Sequence, residues 1–168
     1  EPVNSPYNDG GTSISPDGLS LYFASDRLGG SGSQDIWVST RASKGDPWGV
    51  PESLGPIVNA ASFDWRPSIS ADGLSLFFDS NRTGGPDSAD IWVTTRKTPD
   101  HDWRAPENLG PIVNSSSSAG AVSVSADGPA LFFISDRPGR YGPGDIWLPR
   151  TPPKGVPCGR RVELQLTA

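Results

Sequence analysis

Cysteine, histidine and methionine are nearly absent from this chain of 168 residues, which has one cysteine, one histidine and no methionine. Because Cys158 is alone, an intramolecular disulfide is excluded, and cysteine usage does not indicate the redox compartment. No apolar run approaches the ~20 residues that a membrane-spanning helix needs. The 14 basic residues are outnumbered by 19 acidic ones, for a net charge of −5. That balance argues against nucleic acid binding, since a phosphate-binding surface needs clustered Lys and Arg.

Glycine and proline, by contrast, are abundant, with 20 and 18 residues and no collagen period or low-complexity block. The hydrophobic 34% of the chain falls in short, regular runs, which predicts a turn-rich all-β domain rather than a disordered chain. Because the chain begins at Glu1 and has no methionine, we expect that an upstream piece, a signal peptide or another domain, has been removed.

One unit of sequence occurs three times at a constant spacing of 55 residues. Its Asp-Gly turn starts at Asp17, Asp72 and Asp127, and its Asp-Ile-Trp triplet starts at Asp35, Asp90 and Asp145. A fixed period of this length indicates a stacked array, a propeller or a solenoid, in which one unit cannot bury its own apolar face. A residue present in every copy is therefore expected to build the copy rather than to do chemistry.

The second copy shows the pattern of one unit most clearly. It predicts short strands at 68–70, 74–80 and 90–95, and a fourth at 102–109 whose prolines suit a sheet edge. Four short antiparallel strands without helical periodicity are typical of a propeller blade. The fold class is therefore predicted to be all-β, a single domain over 1–168 with blades at about 12–55, 67–110 and 122–166.

The two ends of the chain fit the same spacing. Cys158 stands where Trp48 stands in the first copy, and Val3-Asn4 stands 55 residues before Val58-Asn59, so the sequence encodes three whole blades. Closed propellers use about four to eight blades. We therefore expect a homodimer in which blade three of each chain joins blade one of the other to close a six-bladed ring. The rival interpretation is a piece of a longer propeller.

The combined motifs resemble a known repeat. A Ser-x-Asp-Gly turn, an apolar strand ending in Ser-Asp-Arg, a Gly-rich loop and Asp-Ile-Trp are similar to the TolB-type, WD-like β-propeller repeat, most of all its long-loop variety in bacterial extracytoplasmic proteins. The resemblance covers residues 3–150 and extends loosely over 151–168. It implies a bacterial propeller, periplasmic or secreted, that serves as a binding or assembly module without a shared catalytic residue set or a cofactor. Propellers host many unrelated functions, so the site has to be argued separately.

Two acidic positions recur on either side of the Gly-rich loop: Asp26, Asn81 and Asp136, then Asp35, Asp90 and Asp145. Carboxylates there are candidate ligands for a hard cation. However, Asn81 replaces an aspartate without disturbing the copy, which favours acceptors for backbone N–H groups over metal ligands. We therefore predict no metal site, and we expect the repeated Arg27, Arg82 and Arg137 to pair with these acids or to stack on neighbours.

Two further groups favour structural roles. Trp37, Trp92 and Trp147 recur in the third strands, which favours packing between blades over stacking on sugars. His101 is the single histidine, and its flanking aspartates suit a catalytic base, but no nucleophile elbow accompanies it. We therefore interpret His101 as a solvated loop residue.

Residues that break the repeat are the better candidates for a site, because a site on a pseudo-symmetric scaffold must differ from its copies. The candidate ligand-binding residues are Tyr7, Phe63, Asp64, Trp65, Arg66, Asp79, Arg140 and Tyr141. We expect most of them in loops on one face, because loops between strands two and three share a face with the connectors between blades, and we expect Asp79 to line the channel. Aromatic side chains interspersed with Arg and Asp suit a sugar, a glycopeptide or a protein loop. Ordinary divergence between copies is the alternative explanation.

The leading hypothesis is a non-catalytic propeller that binds a protein or glycan across its loop-rich face. The alternative is a glycoside hydrolase or lyase, which needs two unique carboxylates about 5–9 Å apart. Asp64, Asp79 and Asp87 are the acids that we take as non-repeating, and nothing around them marks one as a general acid. A third possibility is a structural spacer.

Overall fold

The computed structural model of the chain describes residues 3–84, 89–115, 119–125, 130–138 and 144–148. These residues form three antiparallel sheets, and the only helix that they contain, Gly55–Val58, is one turn long. None of their helices is long and apolar enough to cross a lipid bilayer. The all-β prediction is therefore confirmed.

Each sheet is one blade, built from strands that are consecutive in the chain and paired in that order. Blade one contains β1 (Asp9–Ile14), β2 (Ser20–Ser25), β3 (Asp35–Thr40) and β4 (Glu52–Ser53). Blade two contains β5 (Asp64–Ile69), β6 (Ser75–Ser80), β7 (Asp90–Thr95) and β8 (Glu107–Asn108). The described part of blade three contains β9 (Ala119–Val124), β10 (Leu131–Ser135) and β11 (Asp145–Trp147). The fourth strand predicted after Cys158 lies outside the described residues.

The first strand of each blade carries a β-bulge, which makes it longer than the sequence predicted. In blade two the pairing of β5 with β6 shifts between Trp65 and Ser68, so that β5 begins at Asp64, four residues before the predicted strand at 68–70. The bulge residues Gly11, Arg66 and Ala121 share a left-handed conformation, with φ of 59°, 50° and 52°. The first strands also contact one another from blade to blade, which places the three bulges side by side.

The spaces between neighbouring blades hold the apolar cores. Between blades one and two, the core contains Tyr22, Ala24, Ile36 and Val58 from the first blade and Ile69, Leu76, Phe78 and Trp92 from the second. Between blades two and three, it contains Phe77, Ile91, Val93, Leu109 and Val113 on one side and Ala119, Val122, Leu131 and Phe133 on the other. Blade two thus buries its two faces against two different neighbours, as expected for a repeat that cannot form a core alone. Trp92, 7% exposed, belongs to the first of these cores, and Trp147 is half-buried against the second, as predicted. Trp37 is 6% exposed, so it is buried as well.

An asparagine in each connector fastens it to the blade that it leaves. The Asn59 side chain accepts a hydrogen bond from the Ile36 N–H (2.8 Å) and donates one to the Ile36 carbonyl (3.0 Å). Asn114 makes the same pair of bonds with Ile91, at 2.9 and 2.8 Å. Both asparagines are 1% exposed. We call this arrangement the asparagine clip.

The repeated arginines stack on aromatic rings of the second and third strands of their own blades. Arg27, Arg82 and Arg137 each lie over a Phe of strand two and a Trp of strand three, 4.8–5.4 Å from the ring centroids. The predicted stacking is confirmed, but the ion pairs differ from the prediction, because Arg27 pairs with Asp9 and Arg82 with Asp64. The recurrent loop acids do accept N–H groups: Asp26 from Asn8, and Asp35 from Ser31 and Gly32.

Candidate functional site

The bulge of blade two presents a cluster of side chains that has no counterpart in the other blades. The bulge turns Arg66 outward, and its side chain is 52% exposed. The preceding Trp65 is half-buried and stacks on Phe63, with ring centroids 6.2 Å apart and planes 26° apart. Trp65 pairs across the ladder with Asp79 of β6, which brings a carboxylate beside the arginine.

Asp79 is a buried carboxylate, 2% exposed, with one oxygen satisfied. Its Oδ2 accepts a hydrogen bond from Arg66 Nη1 (3.2 Å) and one from the Ala121 N–H of blade three (3.1 Å). Its Oδ1 has no hydrogen-bond partner within the described part of the chain. Burial raises the pKa of Asp79 to about 6, against the lowering effect of the Ala121 N–H and the Arg66 charge.

The repeat shows how unusual this pair is. Asp79 occupies the position of Ala24 in blade one and Ile134 in blade three, so the other copies fill it with an apolar side chain. Arg66 occupies the left-handed bulge position that Gly11 fills in blade one and Ala121 fills in blade three, so only blade two places a long charged side chain there.

A missing side chain in blade three makes room for the carboxylate. A Cβ on Gly120 would lie 2.9 Å from Asp79 Oδ2, closer than real Cβ contacts allow. Gly120 is therefore needed for the approach of β9 to Asp79, and the Ala121 N–H reaches the carboxylate as a result.

The cluster opens on a cleft of about 470 Å³ between the first strands of blades two and three. Phe63, Arg66 and Asp79 line one side, and Ile134 and Asp136 of blade three line the other. The cleft therefore offers an aromatic surface, a guanidinium donor and a carboxylate acceptor within a few ångströms. Ile134 and Asp136 were not predicted as site residues, because Asp136 stands at a repeated position and Ile134 is an ordinary apolar residue of its strand; only the packing of the blades brings them to this cleft.

Three expectations about the candidates need correction or fall outside the described residues. Asp64, Trp65 and Arg66 lie in strand β5, not in a loop, because the bulge continues the ladder past Arg66. Tyr7 is 43% exposed in the connector before β1 and does not line this cleft. Arg140 and Tyr141, together with Asp87, lie outside the described residues.

The interpretation of Asp64 as a non-repeating acid was wrong. Asp9 stands at the equivalent position of blade one, and both aspartates hold the stacked arginine of their blade. Asp64 is fully buried, and it also accepts the Ala60 N–H at 2.8 Å. It is therefore part of the structure of the blade and cannot meet a ligand in this conformation.

His101 lies in the exposed loop between the third and fourth strands of blade two. Its Nδ1 is 2.7 Å from the Thr98 hydroxyl, and its ring is in solvent. The interpretation of His101 as a solvated loop residue is confirmed.

A second cleft, of about 520 Å³, lies between blades one and two at their Asp-Gly turns. Its lining includes Arg96 and Trp103, and the Arg96 guanidinium stacks over the Trp103 ring, 4.4 Å from the ring centroid. The same stack occurs in blade one between Arg41 and Trp48, at 4.2 Å. The Arg–Trp stack at this cleft is therefore a feature of the repeat, unlike the Arg66–Asp79 pair.

Comparison with known proteins agrees with the architecture. No family model matches the chain, and no curated protein matches it. Solved structures do match. A TolB-assigned protein from Agrobacterium tumefaciens has a TM-score of 0.55 and 19% sequence identity, over 86% of this chain and 49% of that protein. TolB from Acinetobacter baumannii has a TM-score of 0.55 and 17% identity, over 85% of this chain and 30% of that protein. A Hadza microbial sialidase has a TM-score of 0.50 and 14% identity, over 84% of this chain and 31% of that protein.

The chain thus spans about half of the first of these proteins and less than a third of the other two. At such identities the similarity shows the fold and not the activity. The repeated blades, the cores between them and these structural matches together give the chain the fold of a TolB-type β-propeller.

Proposed function

We propose that the chain is a non-catalytic propeller module that binds a protein or glycan ligand at the cleft beside Asp79. The observation that carries this proposal is the Arg66–Asp79 pair, which only blade two contains and whose Asp79 Oδ1 has no partner in the described part of the chain. A buried acceptor without a partner costs about 1–3 kcal/mol. A ligand hydroxyl or N–H group that reached Oδ1 would recover that cost.

The shape of the cluster favours a ligand with one apolar face and several polar groups. Phe63 supplies the aromatic surface of the cleft, with Trp65 stacked on it, and Arg66 supplies N–H donors for a carboxylate, a carbonyl or a hydroxyl group. Sugar rings and exposed protein loops both have this character. The hydrolase alternative has less support, because one of its three acids, Asp64, is fully buried in an ion pair.

The test is binding to a glycan array, to peptidoglycan and to a peptide array by the wild type and by Arg66→Gly. Glycine is the residue of blade one at this left-handed position, so this change removes the side chain without straining the backbone. We expect at least a fivefold loss of affinity for the ligand that the wild type retains, about 1 kcal/mol, as for a polar anchor. Arg104→Ala, which removes the same charge from an exposed loop, is the control. Equal binding by wild type and Arg66→Gly would place the site elsewhere.

We also propose that the other partner of the chain is a second copy of itself, in a six-bladed ring. The support is the number of blades: three blades leave two end faces, and closed propellers use about four to eight blades. An exposed apolar face on a folded protein marks an interaction surface or an aggregation liability.

A further inference from the structure

The outer face of blade three exposes positions that the other two blades bury. Ile36, Ile91 and Ile146 are equivalent residues of the third strands. Ile36 and Ile91 are 0% exposed because the next blade covers them, whereas Ile146 is 76% exposed. Ile134 of the same face is 42% exposed, and its counterparts Ala24 and Asp79 are buried. This face has the composition of a blade junction without the neighbouring blade.

The outer face of blade one shows the complementary difference. Ile14 stands where Ile69 stands in blade two, and the two residues are 50% and 7% exposed. Ile69 belongs to the core against blade one, so Ile14 is placed to enter the same kind of core against a preceding blade.

The asparagine clip points to the same missing neighbour. Asn4 precedes Asn59 and Asn114 in the repeat, and those two clip Ile36 and Ile91 of the blade before them. Among the described residues no blade covers Asn4, and its side chain is exposed. By the spacing of the repeat, the backbone that Asn4 is placed to clip is that of Ile146 in a blade like blade three.

We propose that blade one of each copy docks on blade three of another, with Asn4 clipping Ile146 and Ile14 entering the core that forms between the two blades, so that two copies form a ring with two equivalent junctions. The proposal deepens the self-association proposed above and rests on it. It also extends the ligand site, because Ile134 lines the cleft beside Asp79 and strand β1 of the partner would then form a further wall of that cleft.

The experiment measures molar mass by light scattering for the wild type, Ile146→Asp, Ile14→Asp and an equimolar mixture of the two variants. We expect the wild type near twice 17.7 kDa and each variant near 17.7 kDa, because each variant places a charge in both junctions. The mixture should recover the dimer, since one of its two junctions then contains neither change. Val50→Asp, at a residue 79% exposed in the loop between β3 and β4, is the matched control and should stay dimeric.

The outcomes separate the junction from self-association itself. A monomeric wild type overturns both this junction and self-association. The ligand site is tested separately, by the binding measurements on the single chain. A dimer that survives Ile146→Asp or Ile14→Asp overturns this junction and leaves self-association standing. If the mixture stays monomeric, this junction is also overturned. A contact between blade three of one copy and blade one of the other would leave one junction of the mixed dimer without either change, so the mixture should dimerise. Circular dichroism of each variant checks folding, and Asn4→Ala should weaken the dimer by about tenfold through the loss of two hydrogen bonds.

Discussion

Asp79 should make the protein less stable as the pH rises from about 4 to about 6. Its pKa in the folded chain is raised from 3.8 to about 6, mainly by burial. The folded state therefore binds a proton that the unfolded state has already released within this window. A raised carboxyl pKa contributes stability that is complete below the unfolded value and is lost as the pH passes the folded value.

The size of this effect follows from the rise of the Asp79 pKa from 3.8 to about 6, which corresponds to about 3 kcal/mol of unfolding free energy. Asp79→Asn keeps the shape and removes the titration, so the difference in unfolding free energy between the variant and the wild type isolates this one group. We expect the variant to be relatively more stable at pH 7 than at pH 4 by up to about 3 kcal/mol. A residue that costs stability in this way is typical of a functional site.

The assay is chemical denaturation at pH 4, 5, 6, 7 and 8, at one fixed protein concentration, followed by tryptophan fluorescence. Other acids, such as Asp9 with its pKa lowered to about 2, contribute equally to both proteins and cancel in the difference. A difference that stays flat between pH 4 and pH 7 would refute the burial of the Asp79 carboxylate. A difference that grows in the opposite direction would show that Arg66 dominates its environment.

The other predictions concern the blade core and the buried ion pair. Trp92→Ala should lower the unfolding free energy by about 3–5 kcal/mol, because it empties a packed aromatic position, and Trp48→Ala, at a half-buried position, should cost clearly less in the same denaturation assay. Equal costs would mean that Trp92 is not a core residue. Asp64→Asn should destabilise by about 3–5 kcal/mol, because it leaves the largely buried Arg82 guanidinium without its carboxylate. A variant as stable as the wild type would return Asp64 to the candidate ligand-binding residues.

Much of the fold could be predicted because the repeat exposes it. The spacing of the Asp-Gly turns predicts the second strands, and the Asp-Ile-Trp triplets predict the third strands, which begin at Asp35, Asp90 and Asp145 in the structure. The fourth strands were predicted too long, since β8 covers only Glu107–Asn108 and Pro106 before it has no N–H for a ladder.

The bulges could not be predicted from the sequence. A left-handed residue is expected at glycine, yet only Gly11 of the three bulge positions is a glycine in this chain. Without the bulge, Arg66 and its neighbours were assigned to a loop, and β5 was predicted to begin too late.

The candidate site could be predicted in part. Departure from the repeat singled out Arg66 and Asp79 as residues of blade two alone. Their contact depends on the ladder that pairs Trp65 with Asp79, which are 14 residues apart in sequence. Asp64 was wrongly predicted as a ligand-binding residue, although Asp9 stands at the matching position of blade one. The ion pairs show that each of the two aspartates binds the stacked arginine of its blade.

The most direct test of the ligand site is to give blade two the residues of blade one at both positions. The double variant Arg66→Gly, Asp79→Ala places there the residues that blade one has as Gly11 and Ala24. Affinity for the glycan or peptide that the wild type selects should then be measured by isothermal titration calorimetry. We expect a folded protein, at least as stable as the wild type at pH 7, with affinity reduced at least about tenfold. Full retention of binding by this variant would contradict the assignment of the site to the Arg66–Asp79 pair.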